Sequence, residues 1–292
     1  MTGKYALIAG LLGMSAAASV HAETALVSDS DLNFYIRTFE NGAFTGEIVQ
    51  YPYLPEHNGL ERQDLALGDI DGDGKLEIIG ALVDDDDFQV YFHEIDDTDG
   101  SEFRLIQQRV NHVFEVPKVG DINGDNVDDL VFFRENGGTD GVAWAWIMQD
   151  GSIADQGPIG HSISGAGWYV VDLADINSDG TDDIIWMEAE TGRVYTWIMQ
   201  NGQVANHYTL SHPGTMISPL TAGVSDESIT LDAVCDIDGD GVPDLISSRD
   251  AWDDQFRFWK IQNGHVVDMQ IVDTVFSEEE ISNFIYFEDC TP

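Results

Sequence analysis

DIDGDGKLE at residues 69–77 is the first of four copies of one acidic pattern in this chain. The pattern reads Asp-x-(Asp/Asn)-x-Asp-(Gly/Asn)-x-x-(Asp/Glu), and the later copies are DINGDNVDD at 121–129, DINSDGTDD at 175–183 and DIDGDGVPD at 236–244. Position 6 is Gly or Asn, the residue types that adopt a positive φ most easily. The pattern therefore predicts four tight loops with one backbone path, which we call loops 1 to 4 in chain order.

The chemistry of these positions predicts a calcium site in each loop. Ca²⁺ takes about six to eight oxygen ligands, and side chains at positions 1, 3, 5 and 9 can supply them together with the backbone carbonyl of position 7. Acidic turns without metal are the alternative, but they would require no carboxylate at positions 5 and 9. We therefore expect about four Ca²⁺. The predicted ligands are Asp69, Asp71, Asp73, Lys75 and Glu77; Asp121, Asn123, Asp125, Val127 and Asp129; Asp175, Asn177, Asp179, Thr181 and Asp183; and Asp236, Asp238, Asp240, Val242 and Asp244.

The loops end differently from EF-hands. An EF-hand closes with a Glu at position 12 and continues into a helix, whereas position 12 here is Gly80, Phe132, Trp186 or Ser247. The carboxylate at position 9 must therefore close the site. A β-branched apolar run such as Ile78-Ile79 follows it, which is typical of a strand.

A second repeated element is an aromatic strand that ends in Asn-Gly or Asp-Gly, the sequence signal of a type I′ hairpin. The tryptophans Trp144, Trp146, Trp197 and Trp259 recur in register within it, which predicts that they pack in a core between sheets. The copies are FYIRTFENG at 34–42, VYFHEIDDTDG at 90–100 (a looser one), VAWAWIMQDG at 142–151, VYTWIMQNG at 194–202 and FRFWKIQNG at 256–264.

The order of elements predicts an all-β fold, a β-propeller. A short strand, an acidic loop, a second strand, the aromatic strand, its hairpin and a fourth strand recur about every 50 to 60 residues, as in propeller blades. Five hairpins accompany four loops, so the fifth blade takes its first strand from residues 283–289 and the others from the N-terminal residues. We expect one domain over residues 23–292, with five four-stranded blades closed by the C-terminal strand pairing with the N-terminal strands.

Residues 1–22 have the pattern of a cleaved signal peptide: Lys4, an apolar stretch and a small-residue site ending at Ala22. We therefore expect a secreted or periplasmic monomer that is not inserted in a membrane. The formal net charge of −42 disfavours nucleic acid and polyanionic partners. Cys235 and Cys290 end the first strands of neighbouring predicted blades, and a pair in an exported protein usually forms a disulfide. Two buried thiols are the alternative.

Four stretches resemble FG-GAP/VCBS repeats, the calcium-binding blades of integrin α-subunit propellers and of many secreted bacterial proteins. The stretches are GDIDGDGKLEII, GDINGDNVDDLVF, ADINSDGTDDIIW and CDIDGDGVPDLIS. The resemblance implies a propeller and calcium but no particular activity, because such propellers serve as lectins, adhesion modules and accessory domains. Many relatives have seven blades, whereas this chain predicts five.

The predicted ligand face is opposite the acidic loops, where longer and dissimilar connections lie. These connections are 51–63, 111–118, 156–168, 211–230 and 249–254. Aromatic faces with nearby polar groups suit neutral sugars, and the ligand candidates are Trp252, Trp168, Tyr53 and His161. Each could instead be structural.

Three functional classes remain open from the sequence. We expect a binding or adhesion module that takes a glycan or an extracellular protein. A polysaccharide-degrading enzyme or its accessory subunit is the first alternative, although no nucleophile or metalloprotease motif is present and no carboxylate pair stands out for glycoside hydrolysis. A protein-interaction scaffold is the second. We name no catalytic residue.

Overall fold

The computed structural model describes residues 23–28, 34–40, 43–50, 61–83, 87–94, 104–110, 117–136, 140–164, 167–188, 192–210, 229–236, 240–249, 255–273 and 286–291. Every regular element in these ranges is a β-strand, as the repeats predict. None of the described residues belongs to a helix long and apolar enough to cross a membrane. The predicted signal peptide, residues 1–22, lies outside the described ranges.

The described strands form five four-stranded antiparallel sheets. Sheet 1 has the order β20-β1-β2-β3, and sheets 2 to 5 take four consecutive strands each, from β4 to β19. The strands are β1 Glu23–Ser28, β2 Phe34–Glu40, β3 Ala43–Gln50, β4 Glu61–Gly68, β5 Glu77–Val83, β6 Asp87–Glu94, β7 Arg104–Val110, β8 Lys118–Gly120, β9 Asp129–Asn136, β10 Asp140–Gln149, β11 Ser152–Ser164, β12 Trp168–Ala174, β13 Asp183–Glu188, β14 Arg193–Gln200, β15 Gln203–Thr209, β16 Ile229–Cys235, β17 Asp244–Arg249, β18 Gln255–Gln262, β19 His265–Asp273 and β20 Tyr286–Thr291.

Sheet 1 joins the two ends of the described chain. Its strand β20 pairs antiparallel with β1, from Thr24 opposite Thr291 to Ser28 opposite Tyr286. The C-terminal strand therefore pairs with the N-terminal strands as the sequence predicts. The first strands of successive sheets also contact one another: β4 contacts β8, β8 contacts β12, β12 contacts β16, β16 contacts β20, and β20 contacts β4.

Cys235 ends β16 and Cys290 lies in β20, and these two strands contact each other. The side chains of both cysteines lie outside what the structure describes. The disulfide therefore stays a prediction.

The core consists of apolar side chains packed between neighbouring sheets. One buried cluster lies between sheets 2 and 3, a second between sheets 3 and 4, and a third between sheets 4 and 5. Trp146, Trp197 and Trp259 belong to these clusters in that order and are at most 2% exposed. The predicted role of these three as core residues is confirmed, whereas Trp144 is half-buried and packs against the first cluster. Because side chains alternate along a strand, each central sheet offers one apolar face to each neighbour.

The hairpin turns have the predicted backbone geometry. Both central residues have a positive φ in the three turns that the structure describes, as a type I′ turn requires. The φ values are 49° for Asp150 and 66° for Gly151, 51° for Asn201 and 71° for Gly202, and 51° for Asn263 and 71° for Gly264.

Strand β11 corrects one sequence prediction. The connection predicted over residues 156–168 is strand as far as Ser164, so His161 lies in β11 rather than in a loop, and Trp168 begins β12. The sequence misled because Gly157, Pro158 and Gly160 read as loop residues. Strand β11 lies at the edge of sheet 3, where proline and glycine are tolerated because one side of the strand needs no ladder hydrogen bonds.

Candidate metal centre

The acidic loops join the first strand of a sheet to the second. Loop 1 runs from the end of β4 at Gly68 to the start of β5 at Glu77, and loops 2, 3 and 4 occupy the same place in sheets 3, 4 and 5. Position 9 is therefore the first residue of the second strand in every copy. Loops 1 to 3 are described throughout, whereas Asp238 of loop 4 lies outside the described residues.

The position-1 aspartate organises each loop through its carboxylate. In loop 1, Oδ1 of Asp69 accepts hydrogen bonds from the backbone N–H groups of Gly72 (2.7 Å) and Asp73 (3.1 Å), and Oδ2 accepts one from Gly74 (2.8 Å). Oδ2 of the position-1 aspartate accepts the position-6 N–H in the other loops too, over 2.7 to 2.8 Å. One carboxylate thus satisfies the backbone donors of a turn too tight to pair them with carbonyls.

The backbone conformation of the loops agrees with the pattern and adds a requirement to it. Position 6 has the predicted positive φ in all four loops: 84° at Gly74, 64° at Asn126, 84° at Gly180 and 82° at Gly241. Position 4 also has a positive φ where it is described, which the pattern did not predict: 78° at Gly72, 82° at Gly124 and 60° at Ser178.

The position-9 carboxylates are buried. Glu77 is 1% exposed, Asp129 and Asp183 are 0% exposed, and Asp244 is 3% exposed. Burial, with a smaller contribution from nearby aspartates, raises the pKa of Glu77, Asp129 and Asp183 each to about 8. Only one backbone hydrogen bond to each opposes this, for example from Ile70 to Glu77 over 2.9 Å. A carboxylate in such a place requires a proton or a cation.

The donor set of loop 1 fits a divalent cation. Carboxylate oxygens of Asp69, Asp71, Asp73 and Glu77 all lie within 4.8 Å of one another. Four carboxylates at this separation repel one another unless a positive charge lies between them. Hard oxygen donors of this kind are what Ca²⁺ and Mg²⁺ prefer, and a flexible loop with several carboxylates favours Ca²⁺.

Loops 2 and 3 can bind the cation once the side-chain amide of their position-3 asparagine rotates. Asn123 at position 3 donates from Nδ2 to Oδ2 of Asp129 over 3.2 Å, and Asn177 donates to Asp183 over 3.1 Å. An amide ligates a cation through its oxygen. Turning each amide by half a turn would present Oδ1 in place of Nδ2.

Asp128 is a functional residue that the sequence analysis missed. Its backbone N–H donates to the carbonyl of Asp69 over 2.8 Å, and its Oδ2 accepts the Asp69 N–H over 2.7 Å. The position-8 residue of loop 2 is thus bonded to the position-1 residue of loop 1, across a sheet boundary. Asp182 of loop 3 repeats both bonds to Asp121 of loop 2, each over 2.8 Å. We call these pairs the loop clamps.

Each clamp requires a glycine on the opposite sheet. A Cβ at Gly68 would lie 2.8 Å from Oδ2 of Asp128, and a Cβ at Gly120 would lie 2.6 Å from Oδ2 of Asp182. At the boundary between sheets 4 and 5, neither the glycine nor the position-8 aspartate is present. Ala174 stands at the glycine position and Pro243 at position 8. Proline has neither the N–H nor the carboxylate, so this form of clamp cannot form between sheets 4 and 5.

Hairpin turns add a further bond to two of the loops. The N–H of Gly151 in sheet 3 donates to the carbonyl of Ile70 in loop 1 over 3.2 Å, and Gly202 in sheet 4 donates to Ile122 in loop 2 over 3.0 Å. Loops 1 and 2 are therefore each held by the following sheet as well as their own. Folding of a loop and docking of the next sheet are coupled as a result.

A pair of variants at Asp128 tests the clamp. Asp128→Ala and Asp128→Asn both remove the charge, but only asparagine keeps an oxygen that can accept the Asp69 N–H. We expect the alanine variant to have the lower free energy of unfolding, by about 1 kcal/mol, because the part-buried N–H of Asp69 loses its side-chain acceptor. Urea unfolding of both variants measures the difference, and equal stabilities would rule the clamp out.

Two of the four ligand candidates meet at the boundary of sheets 3 and 4. The ring of His161 lies 5.1 Å from that of Trp197 and 5.5 Å from that of His207, centroid to centroid. The hydroxyl of Tyr195 hydrogen-bonds to Nδ1 of His207, and the Tyr195 ring lies 6.1 Å from that of Trp168. We call His161, Trp168, Tyr195 and His207 the rim cluster.

The rim cluster combines exposed and half-buried groups. Its two histidines are exposed, whereas Trp168 and Tyr195 are half-buried against the core between sheets 3 and 4. Trp168 begins β12 while loop 3 follows the end of that strand, so the cluster lies toward the strand ends away from the acidic loops. Sequence reasoning missed Tyr195 and His207. The other two candidates, Tyr53 and Trp252, lie outside the described residues.

Comparison with known families supports the repeat. Residues 121–186 match the sequence model of a family described as FG-GAP-like repeat. The match contains loops 2 and 3 and the clamp between them, and it confirms the resemblance to FG-GAP repeats over these residues. A match of this kind points to a β-propeller-like interaction module. No curated protein matches the chain significantly.

Proposed function

We propose that this protein is a calcium-binding β-propeller that acts outside the cytoplasm as a binding module. The observation that carries the proposal is the buried position-9 carboxylate, such as Glu77 at 1% exposure, placed beside three further carboxylates of its loop. Buried charge of one sign is stabilised by an ion of the other sign. When bound, Ca²⁺ supplies that charge and ties the loop to the first residue of the second strand.

We further propose that the five sheets are the blades of one closed propeller. The contacts that pass from β4 through β8, β12, β16 and β20 back to β4 support this arrangement. The pairing of β20 with β1 supports closure through the chain ends. The FG-GAP-like match supports the propeller class.

The proposed calcium ligands follow the order of the loop. Side chains at positions 1, 3, 5 and 9 and the carbonyl of position 7 hold one ion in each loop, which makes about four in all. Asn123 and Asn177 contribute their amide oxygens. The position-1 aspartate serves two purposes, because its oxygens also accept the loop's backbone N–H groups.

Neutral glycans are the ligand class that we propose. The rim cluster places aromatic rings next to groups that donate and accept hydrogen bonds, which suits a sugar with one apolar and one hydroxyl-rich side. The net charge of −42 repels polyanionic chains. Tyr53 and Trp252 remain candidates for the same surface.

Glycan binding by the rim cluster can be tested with exposed histidines. A glycan array in excess Ca²⁺ identifies the sugar, and titration measures the variants. We expect His161→Ala and His207→Ala to weaken binding about two- to tenfold, the range of one aromatic contact. His265→Ala is the matched control, because His265 is exposed and lies near Tyr208 but belongs to sheet 5. Equal losses in all three variants, or no binding to any neutral glycan, would contradict the proposal.

A further inference from the structure

A lysine of the neighbouring strand β18 places a positive charge beside loop 4. Nζ of Lys260 lies 2.8 Å from Oδ2 of Asp240, the position-5 carboxylate of loop 4. The two side chains are 32% and 31% exposed. Lys260 belongs to β18 of the same sheet. An ammonium within hydrogen-bond distance of a predicted ligand oxygen uses the electron pairs that Ca²⁺ would need.

This lysine replaces an apolar residue of the other repeats. It stands four residues before the turn glycine Gly264, and the same place is Ile147 before Gly151 and Ile198 before Gly202. Both isoleucines are half-buried and pack against the apolar clusters between sheets. Among the three hairpins with described turns, sheet 5 alone has a cation here.

We propose that Lys260 is a built-in cation of loop 4 that competes with Ca²⁺ for Asp240. Loop 4 therefore keeps its fold without the ion and binds Ca²⁺ more weakly than loops 2 and 3. In loop 1, Nζ of Lys75 lies 3.8 Å from Oδ2 of the position-5 residue Asp73, in a more exposed pair, and competes less. The inference rests on the proposed calcium function. It makes loop 4 a site that fills only at high Ca²⁺.

The displaced ammonium has an alternative partner. Lys260 lies directly opposite Asp268 of β19 in the antiparallel register, and Asp268 is exposed. A lysine side chain has four flexible carbons and can move between two carboxylates on one surface. Release of Asp240 is therefore compatible with the rest of the sheet staying as it is.

Calcium titration of single-site variants tests the competition. Equilibrium dialysis of the wild type should show one Ca²⁺ site of lower affinity than the others. Asp236→Asn, which disables loop 4, should remove that site. Lys260→Met and Lys260→Ile should raise its affinity about two- to fivefold, the range of one partly exposed ion pair. Lys260→Arg keeps the charge and should leave the affinity low. Ile198→Lys is the reverse change in the sheet of loop 3. It should lower the affinity of one of the tightly binding Ca²⁺ sites.

Melting with and without Ca²⁺ gives a readout that a purely structural lysine would not give. In excess EGTA, Lys260→Met should melt below the wild type, because loop 4 has lost the counter-charge of Lys260. In saturating Ca²⁺ it should melt no lower than the wild type. A lysine that merely packs would lower both temperatures, and that result would overturn the inference.

The outcomes separate this inference from the function on which it rests. Absence of any Ca²⁺ binding to the wild type would remove the calcium function and the inference together. Four ions bound with unchanged affinities in wild type and Lys260→Met would overturn the inference alone. The calcium function would then stand.

Discussion

Excess EGTA is expected to lower the melting temperature of the calcium-loaded protein by about 10 °C or more. An ion that binds only the native state stabilises it by about 2.7 kcal/mol per site when its concentration is a hundred times Kd. For a chain of this size each kcal/mol shifts the melting temperature by about 2–4 °C. Removal of the ions leaves Glu77, Asp129 and Asp183 buried beside other carboxylates, and relief of this repulsion is part of the binding free energy that is lost.

Calorimetry in Ca²⁺ and in EGTA measures this shift. Asp179→Ala removes the position-5 ligand of loop 3 and should reduce the shift by roughly a quarter, since one of about four sites is lost. Asp155→Ala is the control, because Asp155 is an exposed acid on β11 outside every loop. A melting curve that is the same with and without Ca²⁺ would show that the loops are acidic turns without a metal.

Deletion of residues 283–292 should have the second large effect. The segment contains β20, which pairs with β1 and contacts both β16 and β4. Its removal takes away the partner of β1 and leaves an unpaired strand edge in sheet 1. We expect the melting temperature to fall by about 10 °C or more, or cooperative unfolding to be lost.

A peptide of residues 283–292 should restore the truncated chain when added in excess, because it can reoccupy the vacant strand position. The experiment is done under reducing conditions, so that a bond between Cys290 and Cys235 cannot account for the rescue. A peptide of the same composition in scrambled order is the control. Truncated and full-length proteins that melt alike would show that the C-terminal strand does not close the fold.

The elements that the sequence predicts correctly follow from local backbone chemistry. Gly74 and Gly180 have a positive φ because the chain reverses within a few residues, and Asp150-Gly151 forms the predicted hairpin turn. Strand β5 begins at Glu77 and β13 begins at Asp183, where the apolar run starts. The pairing of β20 with β1 was predictable as well, because counting repeats shows that one blade lacks its first strand.

The features that the sequence does not predict depend on contacts between residues far apart in the chain. Asp128 reads as one more acidic residue of loop 2 until sheet 3 is placed beside sheet 2, where it meets the backbone of Asp69. His161 and His207 belong to the outer strands of different sheets, and no spacing in the sequence brings them together. Pro158 is typical of a loop, but it lies in β11 at the edge of sheet 3, and the sequence does not show which strand is an edge strand.

The sequence by itself determined most of the strands, the hairpin turns and the donor set of each loop, because these depend on φ, on the alternation of side chains and on the chemistry of residues a few positions apart. Only the tertiary structure decided which carboxylates are buried, which loops are clamped and which loop receives an ammonium from a neighbouring strand. Those properties depend on how closely separate sheets approach. The aspartates at positions 8 and 9 show the difference: adjacent in sequence, Asp128 holds the neighbouring loop while Asp129 is buried at the end of its own.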